Sequence, residues 1–260
     1  MTNKGVKTAS RPSPIPFRNL HIYFALLIPA AVLGFGPFLL GGVTFSGRPV
    51  TPVVLVHAAL MGLWVLMLIA QAWFIRTNRF RIHQWVGRSS YVIAPVIILS
   101  VLVAEHENLN HVLNHGAEGA FAEQARLEVF GIPQILAFGV TWGLAILYRR
   151  RTPLHARFMI STAFAISTAI VFRIILNWFT WLPGLDPDSL DAIAAANWSV
   201  LTLPLLALIA IDWRMGIKRS PFWVVTALIG IMHIGYWTYG QTSTWFAFCQ
   251  WYADLALRGS

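Results

Sequence analysis

Residues 154–181 read LHARFMISTAFAISTAIVFRIILNWFTW, a run in which His155, Arg157, Arg173 and Asn177 are the only strongly polar side chains. At a rise of about 1.5 Å per residue, such a run is longer than the roughly 30 Å hydrocarbon core of a bilayer. It contains no proline or glycine to break it. A helix apolar on every side is buried in a large protein or spans a membrane. Six further segments carry similar apolar character, at about 20–44, 51–75, 84–104, 127–148, 192–213 and 221–240. The whole chain of 260 residues is 57% hydrophobic and 11% charged, where soluble domains carry about 25% charged residues. The fold class expected is therefore all-α: a polytopic integral membrane protein with a seven-helix bundle over residues 20–240. Residues 1–19 form a basic N-terminal segment, and residues 241–260 an amphipathic tail.

Charge assigns the sides. Fifteen of the nineteen basic residues cluster at one end of the spans: Lys4, Lys7, Arg11 and Arg18, then Arg76, Arg79, Arg81 and Arg88, then Arg149, Arg150, Arg151 and Arg157, then Arg214, Lys218 and Arg219. Nine of the ten acids fall at the other end. Lys and Arg are retained on the cytoplasmic side, so the N-terminus is expected inside and the C-terminus outside. The net charge of +9 is spread over helix ends rather than gathered on a solvated face, which argues against nucleic acid as a partner and for anionic lipids at the cytoplasmic face. The apolar run after the basic segment continues to Leu40 without a small-residue cleavage site, so it reads as an uncleaved first helix. The tail, with Trp245, Phe246, Phe248, Trp251 and Tyr252, reads as an interfacial aromatic helix. A lone Cys249 excludes a disulfide framework and reads as an apolar filler.

Polar side chains inside a bilayer are expensive and turn toward the bundle interior, where they mark function. Counting helical rise places His57, His233 and Arg173 at similar depths of roughly 9–12 Å from the outer end. Gln134, Asn177 and Asn197 belong to the same layer, and Glu128 stands at its mouth. Two facing imidazoles can ligate a haem iron, with Arg173 against a propionate. His57, His233 and Glu128 can alternatively hold a metal, or Arg173 can recognise a quinone or another carbonyl-bearing or anionic molecule while a histidine handles its proton. An inner layer holds His83 and His155 at matched depth, with Gln71, Arg88, Arg157 and His21. Arg88 and Arg157 there suit loop capping, lipid phosphate or a propionate. Between the third and fourth spans, Glu107, His111 and His115 recur every four residues in a stretch read as a polar outer loop, with a weak metal contact as its alternative. No lysine lies in any span, which argues against a retinal-binding protein.

The segments RIHQWVGR (81–88) and LHARFM (154–159), together with His57, resemble an uncharacterised group of bacterial polytopic membrane proteins and, more distantly, cytochrome b561-type electron carriers. The likeness covers about residues 50–180. It implies two haems b, one near each face, held by His83 and His155 on the inner side. On the outer side the fourth span offers no histidine, so His57 would pair with His233 of the seventh. The resemblance also implies a bacterial inner membrane. The function expected is a membrane redox protein that holds haem b or engages a quinone. A transporter or receptor for a small anionic molecule, with Gly34, Gly36, Pro37 and Pro133 as helix interruptions, is the alternative from a different class. An accessory subunit docked to other membrane subunits through the aromatic tail is the third.

Overall fold

The computed structural model describes residues 19–42, 49–185 and 190–255. The charges at Lys4, Lys7, Arg11, Arg18, Arg48, Asp186, Asp188 and Arg258 lie outside them. Ten α-helices run in chain order among the described residues: α1 Leu20–Ala25, α2 Leu27–Gly41, α3 Pro52–Arg76, α4 Phe80–Arg88, α5 Ser90–His115, α6 Ala120–Leu147, α7 Thr152–Trp178, α8 Leu190–Arg214, α9 Phe222–Trp237 and α10 Ser243–Ala253. The described residues contain no strand, and they build seven helical stretches long and apolar enough to cross a membrane. The first is α1 with α2 and the third is α4 with α5. This is an all-α, multi-pass membrane protein. Its two ends are called inner and outer after the charge tally.

The bundle is organised on α7, whose apolar stretch is the most enclosed of the seven. That helix packs on α2, α6, α8 and α9. Lipid supplies no hydrophobic drive between helices, so association rests on close packing and interhelical polar contacts. Both are present. A Cβ on Gly34 of α2 would stand 3.0 Å from the Ile170 carbonyl oxygen of α7, so glycine is what lets these backbones meet. Asn177 and Trp178 of α7 then donate to the carbonyls of Gly34 and Leu33, each at 2.9 Å. Outward faces carry large apolar side chains such as Leu66, Leu99, Leu136, Leu203 and Ile231, as a hydrocarbon surround requires.

The first crossing divides its contacts at Leu26, between α1 and α2. Its inner half, α1, lies on α3, where His21 meets the Trp73 ring edge-on at 5.2 Å. Its outer half, α2, leans on α7 and touches α3 only sparsely. Pro37 and Pro133 sit inside α2 and α6 without breaking either helix.

Two stretches differ from the sequence expectation. The third span does not end near residue 104: α5 runs on to His115, and α6 begins at Ala120, so the presumed outer loop is mostly helix. Polarity was misleading there because these turns pack on α10. Tyr252 donates its hydroxyl to the Leu102 carbonyl, Asn110 Nδ2 donates to Ala253 O at 2.9 Å, and Trp245 Nε1 donates to Ala125 O at 2.6 Å. The tail is thus a helix capping the outer ends of α5 and α6, with Cys249 buried in the seam and Trp251 facing out. Burial pushes the Cys249 thiol up to about 12, with the nearby Glu128 charge adding to it, and burial and the Glu105 and Glu128 charges push Tyr252 up to about 12. Both groups stay protonated at neutral pH.

The second difference concerns Arg157. It is not available to lipid phosphate or a propionate, because it is buried at 1% exposure and paired with Asp212 of α8. Nε donates to both carboxylate oxygens at 3.1 and 2.9 Å, and Nη2 donates to Oδ1 at 2.8 Å. Ser220 Oγ donates to the second oxygen at 2.7 Å and accepts from the Phe222 N–H that opens α9. Three helices are clamped at their inner ends by one carboxylate. Removing one partner of a buried pair costs about 3–5 kcal/mol, more than replacing both. We expect Asp212→Asn to lower the thermal midpoint in detergent sharply, and the double variant Arg157→Met/Asp212→Leu to regain most of it. Equal melting of all three proteins would show that the pair does not hold the bundle.

Candidate functional site

A cavity of about 780 Å³ lies among α2, α3, α5, α6 and α7, where α2 leans away from α3. Its walls are mainly apolar, including Leu27, Phe35, Met61, Ile97 and Phe138. Polar groups converge on it from four helices: His57 from α3, Glu105 and Asn108 from α5, Gln124, Glu128 and Gln134 from α6, and Arg173 from α7. An apolar chamber with a few convergent polar groups has the make-up of a small-molecule site.

Arg173 forms no ion pair among the described residues. It makes a long 3.4 Å bond to Ala169 O of its own helix and lies 4.8 Å over the Phe35 ring. Glu105 and Glu128 act on it through space. Glu128 is 1% exposed; Oε1 accepts from Gln124 Nε2 at 2.8 Å, while Oε2 has no hydrogen-bond partner. Gly131 explains how a second carboxylate fits beside it: a Cβ at this position would stand 2.8 Å from Glu128 Oε2 and 3.0 Å from Glu105 Oε1. His57 is 2.9 Å from Ser100 Oγ through Nδ1, and Ser100 donates to Ile97 O, so the imidazole Nδ1–H donates to the hydroxyl and Nε2 is the acceptor. Gln134 keeps its amide on the wall by donating to Ala165 O at 2.9 Å.

His233 is not part of this chamber. Its ring stacks on Trp198 at 5.8 Å and lies 5.0 Å from Phe130, whose own ring lines the cavity. Both nitrogens are engaged: Nδ1 donates to Ile229 O at 2.9 Å, and Nε2 accepts from Asn197 Nδ2 at 3.4 Å. A haem spanning His57 and His233 would need a free ring nitrogen on each, and His233 offers none. Asn177 is likewise occupied on the seam between α7 and α2.

On the inner side the structure does bring the expected pair together. The His83 and His155 rings are 6.4 Å apart between centroids and stand at 86°. With metal–nitrogen bonds of about 2 Å, two imidazoles on opposite sides of one ion have centres about 6 Å apart. His155 Nδ1 donates to Ala145 O at 2.8 Å, which leaves Nε2 as the lone-pair nitrogen, the arrangement usual for a metal-bound histidine. His83 Nδ1 and both amide atoms of Gln71 are buried without hydrogen-bond partners. The two imidazoles stand at the separation that one shared metal ion requires. Arg88 is exposed at the inner rim.

Among the described residues, no three His, Cys, Asp or Glu side chains gather as a metal site. Glu107 turns toward α3 and accepts from Thr51 Oγ1 at 2.8 Å, whereas His111 and His115 stack on each other at 5.0 Å. Compared with family models, curated proteins and solved structures, the chain matches none of them.

Sequence reading missed Glu105, Asn108 and Gln124, which it assigned to loop. Their spacing held a signal: Glu105 with Asn108 at i, i+3 and Gln124 with Glu128 at i, i+4 each share a helix face. If the His233–Asn197 contact is structural, Asn197→Leu leaves a buried imidazole nitrogen unpaired and costs about 1–3 kcal/mol. We expect that variant to melt earlier, with the environment of a probe attached at Met61 in the cavity unchanged. An altered Met61 environment would connect His233 to the chamber.

Proposed function

We propose that this protein is a membrane redox protein that engages a quinone-class molecule in the outer cavity. The carrying observation is one cationic side chain, Arg173, turned into an apolar chamber of about 780 Å³ without a carboxylate in ion-pair contact among the described residues. An intramembrane guanidinium is costly unless something meets it. A quinone satisfies the chamber: its ring and short isoprenoid chain match the apolar wall, and a ring carbonyl can accept from the guanidinium. His57 Nε2, on the same wall, is available to the hydroxyl of a reduced ring. The gap between α2 and α3 gives a membrane-dissolved molecule a lateral way in. A membrane-impermeant anion would have no use for such walls, which disfavours the transporter and receptor reading.

In the same proposal, the protein works in a bacterial inner membrane with its basic end in the cytoplasm, near anionic lipids. Other membrane subunits would be its electron partners. Equilibrium dialysis of a short-chain ubiquinone against the detergent-purified protein tests the site. Arg173→Gln should weaken binding at least about tenfold, equivalent to about 1.4 kcal/mol, while circular dichroism and the melting midpoint stay as in the parent. Unchanged affinity would sink the assignment.

A second component rests on a separate observation, the 6.4 Å perpendicular His83–His155 pair. Haem b held there would supply one-electron chemistry, with His155 oriented by Ala145 O and His83 by the α4 segment that carries it. Purified protein from haem-replete cells should show a reduced-minus-oxidised α band that His155→Ala removes. A colourless parent, or a band that persists in the variant, would remove haem from this pair and leave the cavity reading standing.

A further inference from the structure

Beyond ligand recognition, the outer end of the chamber contains groups with no role in holding a quinone. Glu105 on α5 and Glu128 on α6 converge over Gly131, each with an oxygen within 3.0 Å of the same point. Two carboxylates so close in a mainly apolar surround disfavour a second charge, because each ionised group raises the cost of ionising the other. A second feature belongs to the same pair: Glu128 lines the cavity, and its Oε2 is buried without a hydrogen-bond partner while Oε1 is bound by Gln124, with the Glu105 and Asn108 side chains beside it. An acceptor left in this way is suited to a proton brought by a ligand hydroxyl.

We propose that Glu105 and Glu128 share one proton and exchange protons with the hydroxyl of the molecule bound in the cavity, on the outer side of the membrane. This rests on the quinone reading for the identity of that molecule, but the shared proton does not. In the exchange, the ligand O–H bond breaks with its electron pair left on the ligand oxygen, and the proton forms a new O–H bond at Glu128 Oε2. The developing oxyanion is in the chamber that Arg173 faces, so charge moves from carboxylate to ligand without leaving a net charge in the slab. No oxidant is needed for this step. The charged and titratable groups around the pair are His57 on α3, Arg173 on α7, and Tyr252 and Cys249 on α10. Tyr252 and Cys249 are held protonated, so they do not compete as bases.

Infrared difference spectroscopy on the full chain in nanodiscs decides the point. Ligand-free protein at pH 7 should show a protonated-carboxyl band that Glu128→Gln and Glu105→Gln each remove, because one carboxylate alone ionises opposite Arg173. Glu107→Gln, on the far face of α5 and bound to Thr51, should keep it. If a Gln variant fails to fold, Gly131→Val, which drives the carboxylates apart, replaces it and should shift or abolish the band. Adding the quinol form of a short-chain ubiquinone should perturb the band in the parent and not in Glu128→Gln. Absence of the band in the ligand-free parent, its persistence in both Gln variants, or bound quinol leaving it unmoved would each overturn the inference. A band that behaves as expected in protein that fails to bind the quinol would retain the shared proton and refute the quinone reading alone.

Discussion

Every structural decision in this protein follows from one constraint: a charge placed in the slab must find a partner there. Two arginines on the same helix show both ways of meeting it. Arg157 reaches Asp212 and is enclosed, with Ser220 completing the carboxylate's shell. All three guanidinium nitrogens and both carboxylate oxygens are bonded within the protein, and the result is a clamp on α7, α8 and α9. Arg173, four turns further along, meets no such carboxylate and instead faces an open chamber. Identical side chains on one helix therefore read as architecture at one end and as ligand chemistry at the other, and the difference lies wholly in what stands opposite.

Much of the fold was legible in the sequence. Seven apolar runs became seven crossings, because length and hydropathy respond to the same slab thickness that fixes the helices. The boundaries failed where that logic stops applying. Residues 105–115 are polar without leaving the helix, and only the docking of α10 and the polar cavity wall formed by Glu105 and Asn108 reveal why. Asp212 was legible in principle as the sole acid at the basic end, but its pairing with Arg157 depends on how α7 and α8 are rotated, which hydropathy does not encode.

The site was half legible. Depth along each helix follows from residue count, which put His57, His233 and Arg173 at one level with Glu128 at its mouth; three of these four, His57, Arg173 and Glu128, line one cavity. Azimuth does not follow from count, and His233 shows the cost. It shares the level but turns to the Trp198 side of Phe130, where Asn197 and Ile229 use both of its nitrogens. His83 and His155 do come close to each other: each opens its span next to a basic turn, and helix starts leave less rotational choice relative to the neighbouring loop than positions several turns in.

What opens the cavity is the lean of the first crossing. The helical hydrogen bonds run on through Leu26, with Leu26 N–H donating to Ile22 O and Ala30 N–H to Leu26 O, each at 3.2 Å. The inner part of that crossing, α1, follows α3, while α2 is drawn to α7 by the Gly34 contact at Ile170 and by the bonds from Asn177 and Trp178. Glycine at position 34 is thus as much a site residue as Arg173, although it touches no ligand. A larger side chain would push α2 off α7 and toward α3, narrowing the chamber from the side through which a membrane-dissolved molecule enters. The same contact that satisfies the packing demand of a bilayer helix holds the cavity open.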